Sequence, residues 1–355
     1  MGALAVAVPV YVMDQVGRKV VVALDTMGGD RAPDEILLGA SVYLRQNPSS
    51  VFFRLFGNSS SIERCLSSKA NVHLLESCEI IHAGDVVMSD DKLSSAVRKK
   101  GSSMYKAVQD VREKASQCVV SAGNTGAFMG ISKILLGMLE NIYRPAIVTT
   151  LPTKKGEVVV LDLGANLDCS SDVLYQFAFM GSAFAKAALG VKNPRVALLN
   201  VGVEENKGTD AVKEAFHLLN ERTDEDFTFI GYAEPSDVLG GEVDVVVSDG
   251  FTGNVMLKTA ESIFRLLRDD IVGATRTSLL SRLAGLVLAK SLKKSISRFN
   301  PDLRNGAMLI GVNGVAVKAH GGSDSVAFAN AIGAAVKLVA NNLNSKIIDS
   351  ICTID

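Results

Sequence analysis

The stretch RVALLNVGVEENKGTD, residues 195–210, sets the reading of the fold. Five of its first seven residues are apolar, the pattern of a strand buried on both faces. It then breaks into Glu204, Glu205, Asn206, Lys207 and Gly208 before a helical pattern begins at Thr209. Strand, polar glycine-bearing loop and helix make one βα unit.

The same alternation runs along the chain. Strands are expected at Val20–Leu24, Val51–Phe56, Val72–Leu75, Cys118–Ser121, Ala146–Thr150, Val158–Asp162, Val196–Asn200, Thr228–Ile230 and Val243–Ser248. Helical patterns lie between them at Pro33–Arg45, Ser103–Ala115, Thr125–Leu139, Ser171–Leu189, Thr209–Asn220 and Asn254–Val272, with a last one at Ser325–Asn341. This order predicts an α/β protein with a largely parallel sheet covered by helices on both faces.

The 355 residues suffice for one large unit or two, and 48% apolar against 21% charged residues allows a large core. A net charge of −1 and the absence of tryptophan argue against a nucleic-acid partner. The five cysteines (65, 78, 118, 169, 352) form no C-x-x-C pair, so no disulfide framework or zinc site is expected and a reducing cytoplasm is the default. Cys118 reads as a core residue; Cys169, in GANLDC, is a weak candidate nucleophile.

The apolar prefix MGALAVAVPVYVM is too short to span a bilayer and lacks a basic leader, and Met13 is an alternative start. Residues 271–301 carry six bases and no acid. There Leu279, Leu283, Leu286 and Val287 share one face, Leu288, Leu292, Ile296 and Phe299 nearly the opposite one, and Lys290, Lys293 and Lys294 lie across from the latter. Two short helices forming an arm fit this switch of face. A dimer contact and a seat on an anionic membrane stand side by side as readings of the arm.

Five predicted strands end in small, polar, glycine-rich loops: DTMGGDRAP (25–33), SAGNTGAF (121–128), DLGANLD (162–168), NVGVEENKGTD (200–210) and SDGFTGNVMLK (248–258). Ligands of open α/β sheets bind at the carboxyl ends of the strands. Glycines admit close backbone approach, and helix N-termini carry partial positive charge, so the set points to anion capture. Asn124, Thr125, Thr252 and Asn254 add donors. Acids at strand ends, such as Asp25, Asp30, Asp162 and Asp249, suit helix caps better than a hard-metal site. Of the histidines, His73, His82 and His217 read as structural or exposed; His320, in VKAHGGSDS, is the site candidate. The P-loop, dinucleotide-binding, zinc-protease and nucleophile-elbow motifs are all absent from the sequence.

Together DTMGGDRAP, SAGNTGAFM, RPAIVTTLPT, LDLGANLD, LLNVGVEENKGTD, SDGFTGNVMLKTAE and VKAHGGSDS resemble, in order from Val20 to Asn341, the bacterial phosphate acyltransferase family PlsX. The resemblance implies a three-layer α/β/α fold, similar to phosphate acetyltransferases and the isocitrate/isopropylmalate dehydrogenases. The implied layout is an extension over 1–19, one two-lobed catalytic domain over 20–344 including the arm, and a tail over 345–355. It implies transfer of a long acyl chain from acyl carrier protein to inorganic phosphate, giving acyl phosphate for phospholipid synthesis. A homodimer, peripheral contact with the membrane and a membrane-bound glycerol-3-phosphate acyltransferase acting next are also implied, with no cofactor and no metal.

By similarity Lys207 balances and orients phosphate, and Asn254 donates to phosphate or to the thioester oxyanion. Asp25, Gly28, Gly29, Asp30, Asn124, Thr125, Gly126, Asn166, Asp249, Gly250, Thr252, Gly253, Lys258, His320 and Ser323 are the further candidates for phosphate or substrate binding. Glu204 and Glu205 stay open: they set the loop, pair with Lys207, or hold a proton. The rival readings are a short-chain phosphotransacetylase using coenzyme A, a metal- and NAD-dependent β-decarboxylating dehydrogenase, and a non-catalytic phosphate or acyl-phosphate sensor at the membrane.

Overall fold

The computed structural model describes residues 19–222, 226–275, 277, 288 and 306–352. The arm residues Leu279, Leu283, Leu286, Val287, Lys290, Lys293 and Lys294, and the extension before Lys19, lie outside them.

Along the chain run β1 (Val20–Asp25), α1 (Asp34–Gln46), β2 (Val51–Gly57), α2 (Ser59–Leu66), a 3-10 turn (Val72–Ser77), β3 (Cys78–His82), α3 (Leu93–Ala96), α4 (Ser103–Arg112), β4 (Cys118–Ser121) and α5 (Thr125–Leu136). There follow β5 (Ala146–Pro152), β6 (Glu157–Leu161), α6 (Ser171–Leu189), β7 (Arg195–Leu199), α7 (Asp210–Glu221), β8 (Thr228–Ala233), α8 (Pro235–Val238), β9 (Val245–Val247) and α9 (Gly250–Ala274). The last are β10 (Ala307–Ile310), β11 (Val315–Lys318), α10 (Ser325–Ala340) and α11 (Leu343–Cys352).

These elements form two compact units. The first comprises the residues up to Ile131 together with Gly314–Asn341, the second Ser132–Asn313 with the residues from Asn342 onward. In the first, the strand order is β3-β2-β1-β4-β11, all parallel. Its core holds Leu24, Phe53, Leu55 and Phe128, all fully buried. Helices α1 and α10 cross closely because Gly39 has no side chain: a Cβ there would stand 2.9 Å from Phe328 Cβ.

In the second unit the order is β10-β5-β6-β9-β7-β8. β5 runs antiparallel to both β10 and β6, while β6, β9, β7 and β8 are mutually parallel. α6 is buried over most of its surface, and Phe177, Phe179 and Phe184 are fully buried. Burial of each such ring contributes about 2 kcal/mol. Gly181 brings the helix onto the sheet, and α6 stops where Gly190 turns left-handed at φ 73°. Ile347 and Ile351 of α11 are buried, so the segment expected as a tail joins this unit's packing.

One expected strand is corrected. Residues 72–75 belong to the 3-10 turn, and only Leu74 of that turn is buried. The strand is Cys78–His82, an edge that pairs with β2 alone. Among the described residues no single helix is long and apolar enough to cross a membrane.

Candidate active site

In the first unit the candidate loops gather around Asp25, the last residue of β1. Strand register sets Asp25 beside Ser121, the last residue of β4, and Ser121 beside Lys318, the last residue of β11. Asp25 is 1% exposed. Ser103 Oγ donates to its Oδ1 at 2.6 Å and Ser121 Oγ to its Oδ2 at 2.7 Å. Burial raises the carboxyl above its ordinary range, and the two hydroxyl donors oppose the rise.

The loops close tightly over this carboxylate. A Cβ on Gly28 would meet Asp25 Oδ2 at 2.4 Å and Gly123 N at 2.8 Å, and Gly29 has φ 114°. The Asp30 amide donates to Gly321 O at 2.9 Å, and Arg31 Nη2 to Gly322 O at 2.6 Å. Ser121 Oγ accepts the Gly123 amide at 3.1 Å. Three glycine-bearing loops are therefore tied to one another by their backbones.

Other candidates in this unit hold the scaffold. Asn124 Nδ2 donates to the carbonyls of Met88, Ser89 and Asp91 at 3.3, 2.9 and 3.1 Å, and its Oδ1 accepts the Ala127 amide. It thus caps α5 and fastens the 88–91 segment, leaving Thr125 and Gly126 exposed at the helix start. His320 is exposed and its Nδ1 accepts the Gly322 amide at 3.1 Å; Ser323 is buried with its amide on His320 O.

The second unit repeats the plan with a second buried carboxylate, Asp162, which is fully buried directly after β6. Its Oδ1 accepts the amides of Ile147, Gly164 and Ala165 at 2.9, 3.2 and 3.1 Å. Its Oδ2 accepts the amide and Nδ2 of Asn166 at 2.7 and 2.9 Å. Asn166 Nδ2 also donates to Pro145 O at 2.7 Å, so this candidate shapes the loop. Burial raises Asp162 despite these donors.

The N-terminus of α9 rests directly on that loop. The Gly250 amide donates to Asn166 O at 2.7 Å, and a Cβ on Gly253 would overlap Asp162 O at 2.0 Å. Asp249 caps the helix by accepting the Thr252 amide and hydroxyl at 2.8 and 2.7 Å. Lys258 is paired with Glu261 at 2.9 Å. Asn254 is exposed in the first turn, and among the described residues its amide has no hydrogen-bond partner.

Because β6, β9 and β7 are adjacent and parallel, the loops after Leu161, Val247 and Leu199 leave the sheet side by side. The third carries Lys207. Its amide closes a turn on Glu204 O at 3.0 Å, and Asn200 Nδ2 donates to its carbonyl at 3.1 Å. Gly208, at φ 93°, lets the chain turn against Asn200. The Lys207 side chain is exposed, and no carboxylate among the described residues pairs with its ammonium. Of its two neighbours, Glu205 acts on Tyr232, whose hydroxyl it helps raise after burial.

Sequence reasoning left out Lys318, Ser103 and Ser121 and read Asp162 as a cap. A lysine or serine closing an apolar strand was the available signal. Cys169 is buried and burial pushes its thiol up to about 12, which leaves it almost wholly protonated and unfit as a nucleophile.

Among the described residues, an unpaired lysine and an unpaired amide on strand-end loops, beside a protonated Cys169, suit transfer of a group onto an anion; the chain's relatives place it among the acyltransferases. The chain is a member of the family described as fatty acid synthesis protein, the PlsX family, whose model matches residues 20–346. It is 48% identical to the phosphate acyltransferase of Ehrlichia canis over 92% of this chain and 97% of that one. Identity to the phosphate acyltransferase of Wolbachia pipientis subsp. Culex pipiens is 46%, over 96% of this chain and 99% of the relative. Among solved structures, EutD phosphotransacetylase from Staphylococcus aureus shares the fold, with a TM-score of 0.60 at 16% identity, covering 92% of this chain and 94% of that one. The activity is transfer of an acyl group to phosphate.

Proposed function

We propose that the acyl donor is a long-chain acyl carrier protein thioester and that the product acyl phosphate feeds phospholipid synthesis. The observation that carries this reading is the Lys207 ammonium, unpaired among the described residues, on the loop after β7, the strand next to the one that leads into α9; the Cys169 thiol is held protonated. An oxygen of bound phosphate attacks the thioester carbonyl directly. The new C–O bond forms, the tetrahedral oxyanion is met by the Asn254 amide, and the C–S bond breaks as the carrier sulfur leaves as the thiol, taking the proton that monohydrogen phosphate gives up. Lys207 holds the phosphate charge throughout. Of the other candidates, Thr125 and Gly126 stand exposed at the α5 start, whereas Gly250, Thr252 and Gly253 already give their amides to Asn166 and Asp249.

Val255, Ile263, Leu266 and Leu267 are exposed along one face of α9. An apolar stripe of this kind supports a homodimer. In this reading the enzyme is cytoplasmic and touches the membrane peripherally, where a membrane-bound glycerol-3-phosphate acyltransferase consumes the product. Purified protein incubated with phosphate and palmitoyl acyl carrier protein is expected to yield a product trapped by hydroxylamine as the hydroxamate. Turnover of acetyl coenzyme A with no reaction of the carrier thioester would replace this reading by the short-chain one.

A further inference from the structure

Lys318 is the one cation in the row Asp25–Ser121–Lys318, and it is 5% exposed. Its Nζ donates to the carbonyl of Ala319, and among the described residues no carboxylate pairs with it directly. Asp25 and Asp30 act on it through space. A buried ammonium left this short of partners is costly, and a strand could end in Met or Leu at far lower cost. We propose that Lys318 is a positioning residue for phosphate: its charge offsets Asp25 and Asp30, so that the loops at 26–30, 121–126 and 319–323 can receive an oxyanion. This deepens, and rests on, the reading of phosphate as substrate.

The charge arithmetic supports the role. With the ammonium present, Asp25, Asp30 and Lys318 sum to one negative charge at most; without it, an incoming phosphate meets two carboxylates with no counter-charge. The remaining charged groups around the loops are already engaged. Arg31 is held by Glu35 and Gly322 O, Glu35 also accepts the Ser325 amide, and Asp324 caps α10. His320 is turned onto the Gly322 amide. On β4 the neighbours are Ser121 and the Cys118 thiol, which burial pushes far up.

The role has a pH signature that a purely structural lysine lacks. Burial lowers Lys318 from the ordinary 10.5 to about 8. Between those values the unfolded chain binds more protons than the fold, so this group's contribution to stability rises with pH. Phosphate affinity moves the opposite way, falling as the ammonium is lost above about pH 8.

The test is calorimetric titration of wild type, Lys318→Met and Lys318→Arg with inorganic phosphate from about pH 7 to about pH 9.5, alongside thermal melts and phosphate kinetics. Wild type is expected to lose affinity above about pH 8. Lys318→Met should bind phosphate roughly 10-fold more weakly at pH 7, without an alkaline limb, and show a raised KM for phosphate at little-changed kcat. Lys318→Arg should restore binding and carry it past the alkaline limit. Wild-type affinity that stays flat with pH, or a Lys318→Met effect confined to melting temperature or to the KM for the acyl donor, overturns the proposal. If Lys318→Met does not fold, the wild-type pH profile and Lys318→Arg decide alone. Failure to form acyl phosphate while phosphate binding behaves as described would sink the functional reading and leave this one standing.

Discussion

The Asn254 side chain lies over Gly164: a Cβ placed on Gly164 would stand 3.7 Å from Asn254 Cγ. Gly164 sits at φ 127°, a conformation closed to residues with a side chain. Gly164→Ala therefore strains the loop by about 1–3 kcal/mol and crowds Asn254 at once. Both Gly164→Ala and Asn254→Ala should lower the rate of acyl-phosphate formation, the latter by roughly 10²-fold. Only the glycine variant should also lower the melting temperature; equal melting temperatures would contradict the strain argument.

Lys207 is exposed and its ammonium is bound to nothing else in the described chain. Its removal should cost no stability. Lys207→Ala is expected to reduce turnover by roughly 10²-fold or more, the scale of losing one charge donor in the transition state. Near-normal turnover would remove Lys207 from the mechanism.

Asp162 accepts five hydrogen bonds while fully buried. Asp162→Ala leaves those donors unpaired and should destabilise the protein by about 3 kcal/mol, read from denaturant midpoints. The sign of its pH dependence follows from burial. The carboxyl is raised above the ordinary 3.8, so from that pH up to its folded value the native state binds more protons than the unfolded chain. Stability from this group is thus full below the ordinary value and lost as pH rises through the folded one. Asp162→Asn should flatten that part of the profile.

The Cys169 thiol, buried and pushed up to about 12, should resist iodoacetamide in the native protein at pH 8, and Cys169→Ala should keep its activity. A dead but well-folded Cys169→Ala would restore the covalent mechanism.

Much of this was readable in the chain, for physical reasons that differ from residue to residue. Ser171–Leu189 was predicted to the residue because its apolar pattern, Asp172 in the first turn and Gly190 at its end agree with one another. Val72–Leu75 misled because its run is largely apolar, although Val72 and Leu75 face solvent; the true edge strand CEIIH carries Glu79 and His82, is nowhere fully buried and looks weaker. The strands β10 and β11 went unread in AMLIGVNGVAVK because their partners, β5 and β4, are far off in sequence. Family resemblance named the candidate loops, but not the division of labour within them. A loop motif does not reveal that Asn124 and Asn166 spend their amides on backbone carbonyls. Nor does it say that Lys318 is buried, since a lysine after VAV reads as a solvated strand end.

The pairing of β4 with β11 also bears on how the protein is made. Until Val315–Lys318 leaves the ribosome, the wholly buried strand CVVS has β1 on one side and nothing on the other. A nascent chain that ends anywhere before Gly314 therefore presents an open, apolar sheet edge, the kind of surface that draws chaperones or neighbouring copies. The first unit begins synthesis first and finishes folding among the last, so a chain cut short near its end should aggregate through its beginning.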